Sequence, residues 1–323
     1  EAAARRSGRL LGRGQKDEAD GLAVDAMRQA FDSVRISGTV VIGEGEIDEA
    51  PMLYIGEHVG AGGPEVDIAV DPIEGTNLIA KGQNGAIAVM AIAEKGGLLH
   101  APDMYMEKIC VGPRGAGAID ITKSLTENIQ NVAAKMGRKV DEINLVMLDR
   151  ERHYGLMKEA RDLGARIMLI SDGDVNPAME CCIEGSGVHM VVGTGGAPEG
   201  VLAAAALKCA GGDMQARLLP RNEVKGDTEE NKKIASDEIQ RCAALGVKVN
   251  EVLKLEDLVR DDNLVFTATG ITNGDLLKGI SRKGNLASTE TILIRGKSCT
   301  IRKIQSIHYL DRKDSEIYKI LNI

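Results

Sequence analysis

The chain has 323 residues, 43% of them hydrophobic, enough for one large domain or two smaller ones. Its 48 acidic and 40 basic residues give a net charge of −8, which leaves no basic face for nucleic acid. Aromatics make up 2% and Trp is absent, so stacking platforms for bases or sugar rings are nearly excluded, and no apolar run approaches the ~20 residues of a membrane span.

In chain order, the opening EAAARRSGRLL reads as part of a helix that starts at Glu1 without a methionine. This predicts an upstream piece and leaves room for a removed targeting peptide. Leu22, Ala26, Met27, Ala30, Phe31 and Val34 recur on one face and predict a helix over about Asp17–Val34. Thr39–Ile42 reads as a short strand running into Gly43–Glu46. Asp48 ahead of Pro51 predicts a helix start near there. Val66–Val70 reads as a buried strand that Pro72 ends, because proline cannot donate to a sheet ladder. Gly85–Glu94 and Leu98–His100 flank Lys95-Gly96-Gly97, a hairpin signal, and Glu107–Val111 reads as a further strand.

A helix near Leu125–Met136 leads into strand Ile143–Leu148. Helix Tyr154–Leu163, strand Arg166–Ile170, helix Val175–Ile183, strand His189–Val192 and a helix from Pro198 follow. A polar segment, Asn222–Asn231, and a long helix to Leu245 lead to strand Leu264–Ala268, and Glu290–Tyr309 reads as one or two strands. The alternation predicts a mixed α/β fold. The change from hairpins to β-α units sets a domain boundary near residue 150, giving 1–150 and 151–323, with room for the C-terminal strands to return to the first half. Six scattered cysteines with no C-x-x-C predict free thiols in a reducing, cytoplasmic compartment.

Chemistry-bearing residues recur where strands end. In VDIAVDPIEGT, Asp71 follows an apolar run, and Glu74 and Thr76 come within five residues of it. Two hard oxygen ligands and a hydroxyl suit a divalent cation and a phosphate oxygen, although an acidic turn has the same composition. GEGEIDE at Gly43–Glu49 crowds three glutamates and an aspartate, a costly grouping unless cations or water balance it. GTGGAPEG at Gly193–Gly200 ends a strand in glycines, then opens a helix with Glu199 in its first turn, a place for anions or a plain dipole partner. Asp149–His153, DRERH, brings Arg150 and Arg152, suited to bidentate phosphate contacts. Asp172-Gly173-Asp174 can accept from sugar hydroxyls or cap the next helix. Lys16 and Asp20 lie in a polar cluster ahead of the first long helix. Taken together, these residues predict a phosphate site built with metals, and the missing G-x-S-x-G disfavours a serine nucleophile.

The same residues carry a family resemblance. DPIEGT at Asp71–Thr76 resembles the D-P-[IL]-[DE]-G-T motif of the lithium-sensitive phosphatase superfamily that includes inositol monophosphatases. IGEGEIDEAPMLYIGE at Ile42–Glu57, APDMYMEK at Ala101–Lys108, GGAPEG at Gly195–Gly200 and ISRKGN at Ile280–Asn285 resemble its class II, GlpX-type fructose-1,6-bisphosphatase branch. The resemblance implies a layered αβαβα sandwich and hydrolysis of the 1-phosphate of fructose 1,6-bisphosphate with Mn²⁺ or Mg²⁺. It implies Asp20 and Glu44 as ligands of one ion and Asp71, Glu74 and Glu199 as ligands of a second. Glu74, Gly75, Thr76, Tyr105, Arg150, Glu151, Arg152, Asp172, Gly173, Asp174 and Gly196 match substrate-binding positions. DRERH and AKGQNG at Ala80–Gly85 are similar to relatives that also act on sedoheptulose 1,7-bisphosphate, so that activity stays open, as does inositol or nucleotide phosphate hydrolysis.

The expected chemistry is in-line attack of a metal-activated water on a phosphate monoester. Thr76 orients that water, Asp48 or Glu44 takes its proton, and Lys16 adds positive charge. Arg150 and Arg152 anchor the distal phosphate, and Asp172 and Asp174 read the sugar hydroxyls. The expected partners are a small sugar bisphosphate and further copies of the chain, as a dimer or tetramer, with no nucleic acid and no membrane.

Overall fold

A computed structural model describes residues 1–45 and 52–313. Helices α1 (Ala2–Ser7) and α2 (Lys16–Phe31) open the chain, followed by β1 (Ser37–Ile42), β2 (His58–Val59), β3 (Glu65–Glu74), α3 (Thr76–Lys81) and β4 (Ile87–Glu94). Next come β5 (Tyr105–Val111), α4 (Leu125–Met136), β6 (Asn144–Leu148), α5 (Tyr154–Leu163), β7 (Arg166–Ile170), α6 (Val175–Glu180), β8 (Met190–Gly196) and α7 (Ala197–Ala210). Then β9 (Asp213–Leu219), α8 (Arg221–Lys225), α9 (Glu229–Ala244), β10 (Leu253–Lys254), α10 (Leu255–Leu258), β11 (Val265–Gly270), β12 (Ser281–Lys283), β13 (Leu286–Arg295) and β14 (Thr300–Tyr309) complete it. Two mixed sheets with helices on them bear out the layered, mixed α/β class.

The chain forms two compact units, one of Glu1–Gly97 with Asn263–Ile323 and the other of Leu98–Asp262. The pattern change near residue 150 falls inside the second unit, whose sheet runs on from β5 and β6 to β7 and β8.

The first unit is built on an eight-stranded sheet in the order β12-β13-β11-β4-β3-β1-β2, with β14 paired to β13. Among the described residues only β1 and β3 are parallel neighbours, and the other pairs are antiparallel. Ala19, Ala23, Met27 and Phe31 of α2 bury against Val40, Ile68 and Val70 of the sheet, which is why the helical apolar stripe and the strand alternation occur together.

Three sequence expectations are corrected in this unit. Strand β3 does not stop at Pro72 but runs on to Glu74. Asp71 faces Val89 and Glu74 faces Ile87, so β3 carries one extra residue there, and in this bulge the missing proline N–H costs no ladder bond. The Lys95-Gly96-Gly97 turn does not make a hairpin. Strand β4 already has β3 and β11 at its edges, and Leu98 bridges Val259 instead. The helix expected from Asp48 starts outside the described residues and does not continue over 52–57, where Leu53 has φ +56° and Glu57 accepts from the Leu53 N–H.

The second unit has a six-stranded sheet in the order β10-β9-β5-β8-β6-β7. Helices α4 and α5 cover one face, where Leu125, Ile129, Val132, Met157 and Ala160 pack on Ile109, Leu145, Met147, Met190 and Val192. The other face meets α7, in which Val201 to Leu207 are all buried. A Cβ on Gly200 would overlap the Met106 thioether, so this helix lies close against β5. Strands β6, β7 and β8 are parallel and therefore end at one edge of the sheet. Strand β5 is antiparallel to β8 and begins there, with Tyr105 opposite Gly196.

Candidate active site

In the first unit, Lys16 is the exposed first residue of α2, and Asp20 follows one turn later on the same face. Glu44 leaves the end of β1, where its N–H donates to the Leu53 carbonyl at 3.0 Å. Gly43 is required for this approach, because a Cβ would overlap the Leu53 oxygen. Asp20 and Glu44 share a side-chain hydrogen bond. Burial holds the Asp20 carboxyl above its ordinary pKa, while that bond and Lys16 pull it down. Two carboxyl groups drawn together beside one lysine suit a cation that would replace the shared proton.

Asp71 and Glu74 flank the β3 bulge, and their carboxylate oxygens lie within 4.8 Å of one another. Asp71 Oδ1 accepts the Ile73 N–H at 2.9 Å, which fixes the bulge, and Glu74 is buried. Gly75 adopts φ +91° to turn the chain into α3, and Thr76 opens that helix half-buried, its hydroxyl 3.4 Å from the Ile73 carbonyl. Asp48 lies outside the described residues.

In the second unit, the sequence-predicted residues gather where β6, β7 and β8 end. Arg150 is tied to the carbonyls of Asp149 and Ser171 at 2.9 and 2.8 Å. Arg152 donates Nε and Nη2 to the Thr194 carbonyl at 3.0 and 2.6 Å, and its guanidinium lies 5.5 Å from the Tyr105 ring centroid. Both arginines thus have part of the fork anchored and part available. Glu151 is exposed beside them. His153 holds this segment to the glycine strand: Nδ1 lies 2.8 Å from the Leu148 carbonyl and Nε2 accepts the Thr194 N–H at 2.8 Å.

Asp172 and Gly173 are half-buried at the end of β7. Asp174 opens α6 but makes no side-chain cap to it. Its carboxylate is 2.8 Å from Lys108 Nζ, with the lysine side chain 2% exposed. Lys108 also donates to the Gly196 carbonyl at 3.2 Å. Burial works against the Lys108 charge, yet Asp174 and Glu199 hold its pKa above the ordinary value.

Glu199 sits in the first turn of α7, as the sequence predicts. Burial pushes its pKa up to about 7, Lys108 opposes that rise, and Asp174 adds to it. A Cβ on Gly196 would overlap the Glu199 carboxylate. Glu199 Oε2 is buried with no hydrogen-bond partner among the described residues. A buried carboxylate oxygen left unmatched is costly, and a hard cation is the partner it fits.

Sequence reasoning missed two cations, Lys108 and Lys225. Lys108 shares the buried face of β5 with Met106 and Cys110, and that alternation was the available signal. Lys225 ends α8, and its Nζ lies 5.8 Å from the Tyr105 ring centroid; no local pattern marks it.

A family model described as bacterial fructose-1,6-bisphosphatase, glpX-encoded, matches residues 1–308. The chain belongs to that family. It is 62% identical over 324 residues to a protein of Haemophilus influenzae named fructose-1,6-bisphosphatase class 2, covering 100% of this chain and 96% of the relative. Two Escherichia coli K12 proteins are also similar. The one named fructose-1,6-bisphosphatase 1 class 2 is 56% identical over 318 residues, covering 98% of this chain and 95% of its own. The one named fructose-1,6-bisphosphatase 2 class 2 is 50% identical over 298 residues, covering 92% and 93%.

Proposed function

We propose that the chain is a class II fructose-1,6-bisphosphatase that hydrolyses the 1-phosphate of D-fructose 1,6-bisphosphate to fructose 6-phosphate and phosphate, a gluconeogenic step. The observation that carries this reading is the match over nearly the whole chain to relatives named for that reaction. D-P-I-E-G-T supports a wider kinship with the lithium-sensitive phosphatases.

We assign Asp20 and Glu44 to one divalent ion and Asp71, Glu74 and Glu199 to a second, Mn²⁺ or Mg²⁺. The close Asp71 and Glu74 carboxylates and the unmatched Glu199 oxygen support this assignment. Bound there, such ions lower the pKa of water and neutralise charge on the phosphate. Thr76 orients the attacking water, and Glu44 or Asp48 receives its proton. Lys16 adds positive charge, and Gly75 and Gly196 let the ester approach the backbone. Arg150 and Arg152 take the distal phosphate, Tyr105 packs beside it, and Asp172 and Asp174 accept from sugar hydroxyls, with Glu151 and Gly173 at the rim.

We place the enzyme in the cytoplasm; among the described residues no helix is long and apolar enough to cross a membrane. It works as a homo-oligomer, a reading supported by the exposed Ile301, Ile304, Ile307 and Tyr309 of β14.

Phosphate release across a substrate panel tests the assignment. Fructose 1,6-bisphosphate is expected to exceed inositol and nucleotide phosphates in kcat/KM, with sedoheptulose 1,7-bisphosphate as the closest competitor. Preference for an inositol or nucleotide phosphate would overturn it.

A further inference from the structure

The second unit holds a cavity of about 520 Å³ at the end of its sheet opposite Tyr105, Arg152 and Gly196. It forms where β6 and β7 begin at Asn144 and Arg166, where β5 ends before Gly112, and where the chain enters β8 at His189. Strands of this length rise about 3.3 Å per residue, so the two ends lie roughly 20 Å apart.

Arg114, Arg138, Arg166 and His189 line the cavity. Arg114 is paired with Glu184. The Arg138 guanidinium makes no hydrogen bond or ion pair among the described residues. Arg166 donates Nε to the Asp141 carbonyl at 2.9 Å, and its terminal nitrogens meet no acceptor among the described residues. Glu142, the other acid of the lining, accepts the Lys139 N–H at 2.8 Å. His189 is 9% exposed, and its Nδ1 accepts the Asn144 N–H at 2.9 Å. Its proton therefore sits on Nε2, which has no acceptor among the described residues.

A buried donor and two guanidinium groups whose terminal nitrogens have no acceptor among the described residues line one hollow. Guanidinium forks match phosphate oxygens, and the volume is that of a site for a small molecule. Among the described residues no Phe, Tyr or Trp lines it, so a nucleobase would find no stacking surface there.

We propose that this cavity is a second anion site, which takes the phosphate of a small aliphatic phosphate ester between Arg138, Arg166 and the Nε2–H of His189. Nothing in the proposed hydrolysis uses these residues.

Calorimetric titration of the full chain in excess chelator tests it, with inorganic phosphate and glycerol 3-phosphate as probes. A phosphate site is expected to survive Arg152→Ala and to weaken at least about tenfold in Arg138→Ala/Arg166→Ala. Arg138→Ala alone carries the same direction, and this exposed side chain holds no part of the fold. Unchanged titration in the double variant, or loss of all binding in Arg152→Ala, overturns the proposal. Equal affinity of the cavity for adenosine monophosphate overturns the ligand class.

Discussion

Glu199 is the residue whose environment makes the sharpest demand. Its carboxyl keeps a proton up to about pH 7 because it is buried, although Lys108 favours the charged form. In the metal-free protein this raised pKa favours the folded state. That contribution is fully present below the ordinary value of 4.5 and is lost as pH rises through about 7. The melting temperature in chelator, taken as wild type minus Glu199→Gln, is therefore expected to fall across that window; a constant difference would contradict it. Cation binding needs the carboxylate, so Mn²⁺ affinity measured by calorimetry rises over the same range in wild type, and Glu199→Gln flattens the rise. Thr76→Ala tests a different role. It is expected to lower kcat about 10²-fold with little change in KM, and a change confined to KM would remove Thr76 from the reacting centre.

At the scale of elements, the ends of β6, β7 and β8 act as a platform, held by two buried polar contacts. Lys108 ties β5 to Asp174 and Gly196, and His153 ties the β6 exit to the glycine strand. Lys108→Met leaves Asp174 buried and unpaired, and urea denaturation is expected to show a loss of about 3–5 kcal/mol. A loss under about 1 kcal/mol would mean that the pair contributes little.

Most of these elements were legible from periodicity, since α2, α4, α5 and the strands around them alternate apolar and polar residues in register with burial. The place of Glu199 in the first turn of α7 was legible from Pro198 and the glycines before it. Other features were not. Pro72 reads as a stop in one dimension, but only the pairing partner β4 reveals that a bulge absorbs it. The Lys95-Gly96-Gly97 turn carries a hairpin composition, yet tertiary competition for the edges of β4 decides the outcome. The Lys108–Asp174 pair joins residues 66 positions apart, a separation no local pattern encodes.

At the scale of the whole molecule, a chain that departs from unit 1 after Gly97 and returns at Asn263 builds its first sheet from both of its ends. Strand β14 lies on β13 in that sheet and exposes Ile307 at 63%. Ile307→Lys is expected to shift the mass in light scattering from oligomer toward monomer; an unchanged mass would exclude β14 as the contact. The central claim, that carboxylates from separated parts of the sequence hold divalent cations for cleavage of a sugar bisphosphate, is met most directly by one measurement. Phosphate release from fructose 1,6-bisphosphate is followed in chelated, dialysed enzyme while Mn²⁺ is added back, for wild type and Glu199→Gln. Wild type is expected to be inactive without the ion and to recover fully, and the variant to require at least about tenfold more Mn²⁺. Full turnover in excess chelator, or the same Mn²⁺ requirement in both proteins, would contradict it.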